Sequence, residues 1–343
     1  MERILPPISL AASASTTPLP LARSNGVSWR RLRVGAGVAF SAVVVVVCFL
    51  AARRLTTTSW PLQEANVALV LTASAAYLAS FFLRALGWQR LFPGERPDPS
   101  RCLAACGAAA ASGVVLPFRL DYVVKVSTLR RLGGVRLGLD TVALSIISLG
   151  LVDAVAMLPL AVSALAMSDA NFRAPLIVVL LFGLGCIAVL LLGPRLVLLP
   201  FVSRSTRVER AFSRVGNHAG LSRSTFVAGA FLLGCWTTRV LGSALLLSAL
   251  GVGFSPPFAL VVICLAAATS VLPITAGGAI VNVGTTSAVL LALGVTQRAA
   301  INFSMASGML LTLSALAAAL VGVVGSIVLS LQRRHHPRHA TPA

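Results

Sequence analysis

The chain has 343 residues, of which 57% are hydrophobic and 11% charged, with a mean hydropathy of +0.92. A soluble domain carries about 25% charged residues, so a cytosolic enzyme, a disordered protein and a disulfide scaffold are excluded and a polytopic membrane protein remains. Lys+Arg number 28 against 9 Asp+Glu, a net charge of +19; the arginines punctuate apolar runs instead of forming one patch, which fits loops on an anionic leaflet and not nucleic-acid binding.

Residues 1–29, rich in Ala, Ser, Thr and Pro, read as a disordered basic cytoplasmic tail. No signal peptide is expected, because the first long apolar run starts only after Arg30, Arg31 and Arg33. Residues 30–331 read as one transmembrane domain, and 332–343 as a second basic cytoplasmic tail. Candidate spans are 34–52, 65–83, 139–166, 175–199, 225–250 and 299–331. Each is long enough for an apolar core of about 30 Å. Two further apolar runs, 102–116 and 257–272, are shorter and end in Leu116-Pro117 and Leu272-Pro273. Proline stops or kinks a helix at such a point.

Loop charge decides the topology. If 102–116 crossed fully, the basic stretches 84–101 and 119–136 would lie on opposite sides. If 102–136 enters and returns, then loop 84–101, segment 119–136, loop 200–224 and both termini are cytoplasmic. The outside then keeps only Arg53, Arg54, Arg173 and Arg298. The positive-inside rule favours the second arrangement. The same logic makes 257–297 a hairpin entering from outside. The expectation is an all-α polytopic membrane protein with about six transmembrane helices and two inverted re-entrant hairpins. The hairpins resemble one another: each has a small-residue run, then Leu-Pro, then a polar or glycine-rich break, then a second apolar run. Inverted hairpins that meet near the midplane are a transporter signature, because broken backbone is tolerated only beside protein or a water-filled cavity.

The segment PFRLDYVVKVSTLRR (117–131) is the most polar stretch tied to an apolar run. If a helix begins near Leu120, Asp121 and Lys125 are i,i+4 neighbours able to pair. Arg119 is then left to meet a phosphate, which its planar fork suits; Arg130 and Arg131 read as interfacial anchors. Asp153 and Arg239 are charges inside spans. Each lies 14 residues from the cytoplasmic start of its helix, about 21 Å deep at 1.5 Å per residue, so pairing with each other or with a polar cavity is expected. In TAGGAIVNVGTTS (275–287), Gly277 and Gly278 allow close backbone approach, and Thr275, Asn282, Thr285 and Thr286 offer neutral hydrogen-bonding groups. Freed amides there could cradle an anionic headgroup. Nucleotide-binding and hydrolase motifs are missing. The six cysteines lie in apolar runs without a metal-binding spacing, and the four histidines lie in basic segments. No enzyme activity, cofactor or metal is expected.

Four motifs resemble those of the lysylphosphatidylglycerol synthase transmembrane-region family of flippase-like integral membrane proteins, over about 65–325. Arg84 and Trp88 match its R-x-x-R-W. Pro117, Arg119 and Lys125 match L-P-x-R-x-G-E-x-x-R. Asp153 matches E-R-x-x-D. Pro273, Gly277 and Gly278 match L-P-x-x-P-G-G-x-G. The departures are Gly87 for the second Arg of the first motif, Asp121-Tyr122 for Gly-Glu, Leu149-Gly150 before Asp153, and Ala276, Ile280 and no following acid in the fourth. In the best-known relatives this region moves aminoacylated phosphatidylglycerol across the bilayer and precedes a soluble aminoacyl-transferase domain. This chain ends at Ala343 without one, so synthase activity is not expected.

The resemblance implies a multi-pass protein of a bacterial-type inner membrane. It would move an anionic or aminoacylated phospholipid, or another lipid-linked headgroup, between leaflets. Arg119, Asp121 and Lys125 would receive the headgroup from the cytoplasmic leaflet, Asp153 and Arg239 would line the middle, and Gly277, Gly278 and Asn282 the outer half, with Pro117 and Pro273 as the hairpin breaks. The alternatives are a small-solute or ion transporter, and a non-catalytic membrane partner of a cell-envelope glycosyltransferase or other envelope-biosynthesis enzyme. Small-residue runs also allow a homodimer.

Overall fold

The computed structural model describes residues 62–63, 65–92, 94–114, 116, 120–132, 138–168, 170–196, 222–271 and 278–335, and these are helical with short connections. The expected first span 34–52, the N-terminal tail, residues 336–343, Pro117, Arg119, Pro273 and Gly277 lie outside the described residues, whereas 332–335, expected in the C-terminal tail, continue the last helix.

Five helices are long and apolar enough to cross a membrane. They are α1 (Val67–Arg90), α4 (Leu139–Met167), α5 (Ala170–Leu196), α6 (Arg223–Ala249) and α9 (Gln297–His335). Between them lie the shorter helices α2 (Pro99–Gly113), α3 (Asp121–Leu132), α7 (Pro256–Val271) and α8 (Gly278–Ala292). Their 12 to 16 residues give about 18–24 Å, short of the roughly 30 Å an apolar core requires. Local chemistry sets several ends. The Asn66 side chain accepts the Ala68 and Leu69 amides at 3.0 and 3.4 Å, the Ser222 hydroxyl accepts the Thr225 amide at 3.2 Å, and Pro99 opens α2, where its missing N–H costs nothing. One boundary differs from expectation: α1 does not end near residue 83 but continues to Arg90, because Ala85, Gly87 and Trp88 are buried against neighbouring helices.

Glycines bring these helices together. A methyl group added at Gly242 would lie 3.3 Å from the Ala73 carbonyl oxygen, and one at Gly87 would lie 3.2 Å from that of Ala228, so α1 and α6 run antiparallel in close contact. Gly107 of α2 faces Ala315 and Ala319 of α9, and Gly322 of α9 faces Ser100 and Ala104, backbone against backbone. Rising numbers on α9 meet falling numbers on α2, so these helices are antiparallel too. On the other half of α9, Ser304 accepts from Ser287 of α8 at 2.9 Å, and Gly308 faces Val283.

These contacts sort the helix ends. The ends of α1 and α9 and the starts of α2, α4 and α6 share one end of the bundle; the start of α1, the end of α6 and the starts of α7 and α9 share the other. The α2–α3 pair therefore opens at one end and the α7–α8 pair at the opposite end, each leaning on its own stretch of α9. Among the described residues both pairs contact α9, α2 on its later half and α8 on its earlier half; the hairpin breaks, where a direct meeting is expected, lie outside the described residues. Arg90, Arg101, Arg130, Arg131 and Arg223 lie at the first end, against Arg173 and Arg298 at the second.

Two apolar clusters fill the interior. One surrounds Leu176, Leu246, Leu247, Leu290 and Phe303; the other surrounds Trp88, Phe81, Cys102, Leu129, Val142 and Leu232. Trp236 borders both. The outer surface stays apolar: Phe226 is 81% exposed, Leu320 66% and Val178 63%. A water-soluble protein does not leave such side chains uncovered along whole helices.

Candidate functional site

A line of polar side chains runs down one face of α1. Tyr77, Ser80, Arg84 and Trp88 are spaced by three, four and four residues, the repeat that stacks side chains on one side of a helix. Each has a partner on a neighbouring helix. The Tyr77 hydroxyl lies 3.0 Å from Ser243 Oγ. Ser80 Oγ accepts from Arg239 Nε at 3.2 Å and donates to the Tyr77 carbonyl at 2.6 Å. Arg84 Nη2 donates to Asp153 Oδ2 at 2.7 Å, and Trp88 Nε1 donates to Ser145 Oγ at 3.1 Å.

Asp153 is held from two sides, since its other oxygen, Oδ1, accepts the Trp236 indole N–H at 2.8 Å. The ion pair is mostly buried, with side-chain exposures of 22% for Arg84 and 13% for Asp153. Each carboxylate oxygen has its own donor, the condition under which a buried charge is tolerated. Two guanidinium groups lie over the Trp236 ring, Arg239 at 5.0 Å and Arg84 at 5.9 Å from its centroid. Arg239 also lies 5.4 Å from the Phe81 ring centroid. Lys125, 7% exposed, places its Nζ 4.2 Å from the Trp88 ring centroid, close enough to Arg84 and Asp153 to interact with their charges.

Two expected pairings are corrected. Asp153 does not pair with Arg239 but with Arg84, because the antiparallel contact of α1 with α4 brings Arg84 to Asp153 while Arg239 is taken up by Ser80 and two aromatic rings. Lys125 does not pair with Asp121: α3 does begin at Asp121, but it turns Lys125 inward onto Trp88 and leaves Asp121 half-buried beside Gly113 of α2. Gly278 opens α8, and Asn282 lies within α8 with its side chain outside the described residues. The structure thus brings together Lys125, Asp153 and Arg239 of the expected site, and adds Arg84, Trp88 and Trp236, which the reading of charges within spans did not single out. The signal for Arg84 and Trp88 was present in the polar stripe of α1. For Trp236, spacing three residues before Arg239 offered no comparable cue.

The arrangement has a surplus of positive charge. Among the described residues Arg84, Lys125 and Arg239 gather around one acid, Asp153, and counting Asp121 still leaves cations in excess. Basic groups so far from bulk water suit an anion that arrives and leaves. Trp236→Phe keeps the ring but removes the donor to Asp153. It is expected to lower stability by about 1–3 kcal/mol, measured as the unfolding midpoint of the purified protein; an unchanged midpoint would show that the bond adds nothing.

Residues 34–309 match a family model described as lysylphosphatidylglycerol synthase TM region. No curated protein and no solved structure matches the chain.

Proposed function

The chain belongs to the lysylphosphatidylglycerol synthase transmembrane-region family, and on that premise we propose that it moves an anionic lipid headgroup between the two leaflets of a bacterial-type inner membrane. The observation that carries this reading is the cationic surplus around Asp153. Arg84 is held by Asp153, whereas Lys125 and Arg239 rest on aromatic rings, contacts worth about 0.5–2 kcal/mol each. A phosphate offers both a charge-assisted hydrogen bond in place of a cation–π contact. Asp153 limits how tightly the anion is held, which a carrier requires if it is to release its load.

The α2–α3 pair, which opens at the basic end, would admit the headgroup from the cytoplasmic side, with Arg119, Asp121 and Lys125 meeting it first. The α7–α8 pair, with the Gly277-Gly278 turn, would line the outer half. Both termini would then be cytoplasmic. No bond in the lipid is made or broken in this reading.

The test is a leaflet-accessibility assay with labelled phosphatidylglycerol in vesicles containing the purified protein. The native chain is expected to carry the label across, and Lys125→Gln and Arg239→Gln to slow it about tenfold, the equivalent of one charge-assisted hydrogen bond. Equal rates for the native chain and both variants would refute the assignment. Uptake of a soluble anion without lipid movement would mark a solute carrier instead.

A further inference from the structure

Along the exposed side of α3 lies an open groove of about 720 Å³. Along it α3 presents Tyr122, Val123, Val126, Arg130 and Arg131, and the start of α4 closes it with Leu139. The order of these side chains matters. Tyr122 (40% exposed), Val123 (62%) and Leu139 (57%) make an apolar wall. Arg130 and Arg131, exposed in the last turn, stand about 12 Å further along the helix by its rise per residue, at the basic end of the bundle. Neither arginine forms an ion pair with a described residue. The opposite face of the same helix is buried: Lys125 and Leu129 point inward, Lys125 onto Trp88. Tyr122, at the apolar end of the groove, is also close enough to Arg84 to interact with it electrostatically.

We propose that this face of α3 is a binding groove for an anionic phospholipid, which lodges its phosphate between Arg130 and Arg131 and its upper acyl chain along Val126, Val123 and Tyr122. The chemistry selects an amphiphile. Two guanidinium groups with no ion pair among the described residues call for an anion, and the apolar wall beside them calls for a chain attached to it. A free phosphate would leave the wall unused, and a zwitterionic lipid would set its own cation against the arginines. The volume lies within the usual range of about 300–1,000 Å³ for a ligand site. The inference rests on the function proposed above and extends it: a lipid held here lies on the outer face of the helix whose inner face carries Lys125.

The experiment uses the full chain in nanodiscs of mixed phosphatidylcholine and phosphatidylglycerol, followed by mild delipidation and native mass spectrometry. The native protein is expected to retain phosphatidylglycerol, and the double variant R130Q/R131Q to retain about thirtyfold less, two interfacial arginines being worth that much to an anionic lipid. Val126→Trp, which fills the groove without changing charge, should lower retention as well, so that a fold defect in one variant is not mistaken for loss of the site. Millimolar inorganic phosphate should leave retention unchanged. Equal retention by all three proteins, equal retention of phosphatidylcholine, or displacement by phosphate alone would each overturn the proposal. Translocation of labelled phosphatidylglycerol by the same native protein, measured in parallel, reads the polar centre separately. Retention in the native chain without translocation would therefore sink the function proposed above and leave the groove standing.

Discussion

Asp153→Ala is expected to lower stability by about 3–5 kcal/mol, the usual effect of removing one partner from a buried ion pair. The variant leaves Arg84 with no counter-charge and the Trp236 N–H with no acceptor, two losses at one point where the two apolar clusters meet. The substitution also tests whether the pair is a stabilising feature or a necessary containment of charge. Replacing both partners, as Arg84→Met with Asp153→Leu, should recover most of the loss, since apolar side chains of similar volume are often neutral where a buried pair stood. Arg239→Gln should cost far less, because no acid depends on it. The unfolding midpoints of the four proteins in one detergent decide the matter. A double variant as unstable as Asp153→Ala would mean that the pair itself stabilises the bundle.

Gly322→Leu should be more damaging still to the assembly of the helices. A Cβ at this position would fall on the Ala104 amide nitrogen and 2.6 Å from the Ser100 carbonyl oxygen. Backbone cannot rotate away as a side chain can, so α2 would have to separate from α9 along its whole length. Overpacking by a methylene or two typically costs about 1–3 kcal/mol, occasionally more; a rigid contact of this kind places Gly322→Leu at or above the upper figure. Gly325 provides the comparison within the same helix. Its nearest neighbour is the Ser100 Cβ at 3.2 Å, a side-chain atom, so Gly325→Ala should lower the unfolding midpoint only slightly. If both variants unfold at the same temperature as the native chain, the close approach of α2 to α9 is not what holds the first helical pair in place.

The outcome at the polar centre shows why charges alone misplace partners. Asp153 and Arg239 sit at matching depth along their helices, and depth is what a linear sequence makes legible. It says nothing of the angle at which each side chain leaves its helix, nor of which helix stands opposite. The antiparallel register of α1 with α4, visible in the Trp88–Ser145 and Arg84–Asp153 contacts, settles the partner in favour of Arg84. Lys125 teaches the same lesson on a smaller scale. The i,i+4 spacing with Asp121 permits a pair on an isolated helix, but packing against α1 is worth more than a half-solvated contact. The first motif of the family, by contrast, already contained Arg84 and Trp88, and the structure gives both a physical task.

The amino-acid sequence determined by itself that this is a multi-pass helical membrane protein, because a chain with so few charges can hide its backbone and its apolar surface only by forming helices in lipid. It also determined where the shorter, proline-ended runs lie, since length against bilayer thickness and the missing N–H of proline are properties of the chain alone. Only the tertiary structure decided which charge answers which, that both helical pairs lean on α9, and that two arginines lie over Trp236. Those depend on rotation of each helix about its own axis, which small residues such as Gly87, Gly107 and Gly322 fix by allowing contact in one orientation and forbidding it in the others.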